Sequence, residues 1–244
     1  MSTSPNSASA TGRFLIAGAV LLFIPYTILT ITFDYPDILR QDSGLILTRF
    51  QAGGASLIWT WLAFALVGLP LIPAYSRLGQ WLETNSGVDT PNVRWATSIG
   101  VVGLVVQMVG LLRWTFVVPV LARTFVAATN QVTREACRIA FITIHQYGGV
   151  VLGEHLGQLF TIIWTVVLTG TLGRAGVLKR GWVVLGYGSS AIYLLAQAEL
   201  LATVLPGLPV WGLAGFLGST LWLVWLIGVG VVLMRKRPVG VEQE

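Results

Sequence analysis

Polar and apolar positions fall along this chain in long blocks, with no period-two alternation of the strand kind. Apolar runs recur at residues 13–33, 53–75, 95–121, 138–172, 182–205 and 211–234. A run of roughly 20 apolar residues crosses about 30 Å of hydrocarbon as a helix. Pro36 closes the first run, because the residue before a proline is disfavoured in helix. Residues 34–51 are charged, with leucine and isoleucine at mixed spacing, and predict a short amphipathic piece at the surface. Pro70 and Pro73 predict a kink near the end of the second helix. TNSGVDTPN predicts a turn-rich loop within 76–94, and Asn130 with Thr133 offers helix-start chemistry in the polar stretch 123–138. The pattern predicts an all-α fold: a polytopic integral membrane bundle of six helices over residues 13–234. A Ser/Thr/Ala-rich disordered tail is expected at 1–12, and a basic then acidic cytoplasmic tail at 235–244.

The fourth run is the longest. Arg138 to Arg174 spans 36 residues, about 54 Å of helix at 1.5 Å per residue, more than a bilayer core requires. Residues 145–164, HQYGGVVLGEHLGQLFTIIW, hold a ladder of small residues: Gly149, Gly153 and Gly157, continued by Thr161, Thr165 and Thr169. Residues four apart share one ridge of a helix, and a ridge of glycine and threonine lets a second backbone approach closely in lipid. Beside it stand Glu154 and His155. Ionisable groups at membrane depth are costly and mark functional sites.

Composition agrees with membrane residence. The chain is 55% hydrophobic and 10% charged, where soluble domains carry about 25% charged residues. The net charge of +5 does not point to nucleic acid, because the basic residues flank apolar spans. Their distribution places both termini in the cytoplasm by the positive-inside rule. The expected location is the cell membrane, with the bilayer as the chief partner. Cys137 is the single cysteine, so no internal disulfide forms. No metal site and no cofactor are expected: His145 and His155 are about 15 Å apart along one helix, too far to share an ion. A serine-hydrolase elbow is missing, as no G-x-S-x-G occurs.

Counting from basic anchors at Arg94, Arg174 and Arg180 puts Arg113, Glu154 and Glu199 at one depth, about 28–30 Å away. His155, Gln158 and Gln197 lie near that level, with His145 farther out. Arg113 can form a forked pair with Glu199 or with Glu154. The remaining carboxylate would then be protonated, or paired with His155. Glu154 and His155 are the acid/base candidates. Arg113, Glu199, His145, Gln158 and Gln197 are the ligand-binding candidates. A purely structural role for these polar groups, and interhelical bonding by Gln107 and Gln158, fit the same residues. The leading expectation is small-ligand binding or transport through a polar site in the outer part of the bundle. The alternatives are an intramembrane enzyme acting on a lipid-like substrate and a non-catalytic partner-binding protein. The inner halves of the third to fifth helices read apolar, which weighs against transport.

FDYPDILRQDSGLILTRFQAGG, LLRWTFVVPVLA and HQYGGVVLGEHLGQLFTIIWT resemble a bacterial membrane family, domain of unknown function 4386. TGTLGRAGVLKRGWVVLGYGSSAIYL is similar to that family's later helices. The resemblance covers about residues 14–233. It implies a polytopic membrane fold and no particular activity.

Overall fold

A computed structural model describes residues 5–85 and 90–235. Its elements are α1 (Pro5–Phe33), a 3-10 turn (Asp37–Arg40), α2 (Ser43–Leu66), α3 (Leu71–Asn85), α4 (Thr90–Phe116), α5 (Val118–Ala127) and α6 (Gln131–Ile144). A π-helical segment (His145–Leu156) then leads into α7 (Gly157–Arg174), followed by α8 (Arg180–Leu195), α9 (Gln197–Ala202) and α10 (Ala214–Arg235). No strand occurs among the described residues. Among the described residues, five helical stretches are long and apolar enough to cross a membrane: Ala8–Phe33, Ser43–Thr84, Pro91–Ala127, Gln131–Arg174 and Ala214–Arg235. The sixth span expected, at 182–205, is divided at Ala196 into the shorter helices α8 and α9 and is not one of these five. The protein is an all-helical, multi-pass membrane protein.

Contacts divide the chain into two units. One comprises the described residues of 1–19, 69–104 and 158–244, the other residues 20–68 and 105–157. In the first unit, α1 begins at Pro5, within the stretch expected to be a disordered tail. The reason is packing: Ala8 and Thr11 are buried. A side chain at Gly12 would strike the backbone of Gly230 on α10, so small residues there allow close approach. The expected kink at Pro70 and Pro73 is instead a break. α2 ends at Leu66 and α3 starts at Leu71, with Pro73 in its first turn, where a missing N–H costs nothing. α3 then runs through much of the expected loop. Its buried stripe of Leu71, Ala74, Tyr75, Leu78 and Leu82 has helical spacing. Tyr75 stacks on Trp164 with ring centroids 3.7 Å apart. The threonines of the ridge are buried, and Trp222 Nε1 donates to Thr165 Oγ1 at 3.0 Å.

The second unit has an aromatic core. Trp61 stacks on Trp114 at 4.7 Å and 11°, Phe50 stacks on Trp114 at 5.7 Å, and Phe33 meets all three edge-on. Offset and edge-to-face pairs of this kind add to the burial term. The amphipathic piece expected before the second helix is the first half of α2. Its apolar residues Ile46, Leu47 and Phe50 are buried in the core, while Leu45 and Arg49 are exposed. Gly54, at φ 57° and ψ −151°, joins the halves of α2 through a conformation that a side chain would oppose. Pro119 sits in the first turn of α5 and separates it from α4. Asn130 caps α6 as expected, accepting from Thr133 N at 2.8 Å.

Asp42 is the N-cap of α2, accepting from Gly44 N at 2.9 Å and Leu45 N at 3.2 Å. Arg138 Nη1 donates to its other oxygen at 2.6 Å. Desolvation opposes ionisation of this carboxyl, but Arg138 and the two backbone N–H groups together outweigh it and hold it below its ordinary value. A carboxyl depressed on folding stabilises above its unfolded pKa of about 3.9, and that contribution is lost as pH falls through the lower folded value. Asp42→Ala is expected to cost about 1 kcal/mol. Asp42→Asn keeps the cap but should flatten the acid limb of a plot of Tm against pH. An unchanged acid limb would show that the Arg138 pair contributes nothing.

Candidate functional site

His145–Leu156 closes i→i+5 bonds over 12 residues, where single-turn π bulges are the usual form and often mark functional sites. Gly148, Gly149 and Gly153 lie within it. They leave notches that α4 fills. Gly110 packs against the backbone of Gly153 and Gly148. The space where a Gly149 Cβ would lie is taken by the guanidinium of Arg113. The corresponding space at Gly157 is taken by Gln107, whose Nε2 donates to Gly157 O at 2.9 Å. The expected small-residue ridge is therefore a packing surface, and two of its glycines receive polar side chains.

Arg113 stands in the last turn of α4 and is 6% exposed. Nη1 donates to Gly110 O, and Nη2 faces His145 Nδ1 at 3.5 Å. Cζ sits 5.3 Å from the centroid of Trp114, within cation–π range. Nε has no hydrogen-bond partner among the described residues. An arginine can only donate, so a hydrogen bond in this contact uses Nδ1 of the His145 ring as its acceptor. That ring is fixed by stacking on Phe141 at 5.4 Å and by an edge-on contact to Trp114 at 6.1 Å. Glu154 lies on the same π segment, in the unit that holds Arg113.

The structure thus brings Arg113 and His145 together in the unit of 20–68 and 105–157, and places Glu154 and His155 on the same π segment as His145. Glu154 and His155 are both half-buried, and both engage neighbours. Gln158, Gln197 and Glu199 belong to the other unit. There Gln197 Nε2 donates to Gln158 Oε1 at 2.5 Å, and Gln197 is 6% exposed, so this pair bonds α9 to α7. Sequence reasoning missed Gly110, Gly149 and Trp114 as parts of the Arg113 site. Gly110 and Trp114 flank Arg113 in GLLRW, and that adjacency was the available signal.

A family profile described as Domain of unknown function (DUF4386) matches residues 10–230. No curated protein and no solved structure matches the chain.

Proposed function

From the premise that the chain belongs to the DUF4386 family, which carries no assigned activity, we propose that this membrane protein binds a small ligand through an anionic group at Arg113. The observation that carries this reading is a buried guanidinium whose Nε lacks a partner. Burying a charge with unused donors is costly, and a carboxylate is the group whose planar geometry fits the fork of an arginine. Arg113 stays charged at any physiological pH. His145 Nδ1 faces the guanidinium at 3.5 Å and helps to orient it. Glu154 competes for the same cation, so it sets how tightly an added anion is held.

The test is a thermal-shift screen of the detergent-solubilised protein against matched acids and amides, such as octanoate and octanamide. Only the acids should stabilise, by about 2.7 kcal/mol at 100 times Kd. Equal stabilisation by acid and amide would remove the anion site. Glu154→Gln should tighten acid binding, since the competing charge is gone. The second reading, acid/base catalysis on a lipid-like substrate, is favoured by Glu154 standing beside a fixed cation. It would show instead as unchanged binding by Glu154→Gln, with loss of whatever phenotype the wild-type gene restores to a deletion strain.

A further inference from the structure

A polar cavity in the same unit has none of its lining residues on the π segment. It lies where α1 ends and α2 begins, has a volume of about 470 Å³, and is lined in part by Asp34, Tyr35, Asp37, Gln41, Leu45 and Arg49. That volume is in the range of small-molecule sites, about 300–1,000 Å³. The cleft falls in the connection between a candidate span that ends at Phe33 and one that begins at Ser43.

Its lining carries two carboxylates and one guanidinium, a mixture that suits a ligand bearing both signs of charge. Arg49 pairs with Asp34, and Asp37 pairs with Arg40 at 2.9 Å. The side chains in these pairs are 46–80% exposed. Exposed ion pairs are weak, so charges on a ligand can exchange with them. Tyr35 lines the cleft and is half-buried. Its ring is held edge-on by Tyr26 at 5.6 Å and Trp61 at 5.3 Å. An aromatic face next to carboxylates is the setting in which proteins take ammonium groups.

We propose that this cleft binds a zwitterionic ammonium–phosphate group, with the phosphate toward Arg49 and the ammonium toward Asp37 and the ring of Tyr35. The shared chemistry has two sources, a phospholipid headgroup at the membrane edge or the free phosphoethanolamine. The site is independent of ligand binding at Arg113, and each can fail without the other.

The experiment titrates the full chain in mild detergent, by microscale thermophoresis, with dihexanoylphosphatidylethanolamine, dihexanoylphosphatidylglycerol and O-phosphoethanolamine. The ethanolamine lipid should bind at least about tenfold tighter than the glycerol lipid, the step expected for one charge-assisted contact. Asp37→Asn should weaken the ethanolamine lipid by a similar factor. Leu45→Trp keeps every charged group and fills the cleft from a position that is 39% exposed. It should abolish binding with the melting temperature unchanged. Binding of the lipid alone assigns the site to membrane headgroups, and binding of O-phosphoethanolamine as well assigns it to that chemistry from either source. The proposal is overturned if neither ethanolamine probe binds, if the glycerol lipid binds as tightly, or if Asp37→Asn and Leu45→Trp bind like the wild type.

Discussion

Adding one methyl group at Gly110 is expected to destabilise the protein by about 3 kcal/mol, the upper end of ordinary overpacking. The Cβ of Gly110→Ala would lie 2.5 Å from Gly153 Cα, 2.6 Å from Gly148 O and 2.8 Å from Gly153 N. All three are backbone atoms of the π segment, and none can rotate away. The same methyl on the other side of the contact is milder. Gly153→Ala would meet Gly110 Cα at 3.3 Å and Gly148 O at 3.4 Å, and about 1 kcal/mol is expected there. Thermal unfolding in detergent measures both. Equal losses would mean that α4 and the π segment do not meet in this way.

Arg113→Gln is expected to cost about 1–3 kcal/mol, because Gly110 O loses its buried donor and the proposed charge partner of Glu154 is removed. Part of that loss should return in the Arg113→Gln, Glu154→Gln double variant, where neither charge remains. Contacting residues show such coupling, and distant ones add independently. Gly149→Ala tests the same seat from the other side. Its methyl would overlap the guanidinium and push it off the π segment, so the same direction at smaller size is expected. Simple additivity of Arg113→Gln and Glu154→Gln would separate the two groups.

The broad architecture was legible because apolar run length carries it. The continuous helix from Gln131 through Arg174 follows the long fourth run, and the cap at Asn130 follows its residue type. α3 was hidden by its polar outer face and by the turn residues after it, although Leu71, Ala74, Tyr75, Leu78 and Leu82 already had helical spacing. The start of α1 at Pro5 was hidden because small polar residues read as a tail until Gly230 is there to pack against them. Within the site, Arg113, His145 and Glu154 were each recognisable as costly polar groups in apolar spans. Their grouping was less so. The grouping of Arg113 with His145 depends on how α4 packs on the π segment, and anchor counting along separate helices does not report that. The π segment adds to the difficulty, since i→i+5 bonding turns faces away from those inferred at α-helical spacing. The Gln158–Gln197 bond joins residues 39 apart, named singly in the sequence but paired only by the fold.

The most direct test of Arg113 as an anion-binding group is mass spectrometry of the small molecules that copurify in mild detergent with the wild type and with Arg113→Gln. The expected result is an acidic compound carried by the wild type and lost from Arg113→Gln, with other bound species unchanged. Identical sets of bound molecules in the two preparations would contradict it and leave Arg113 as a packing element of α4 on the π segment.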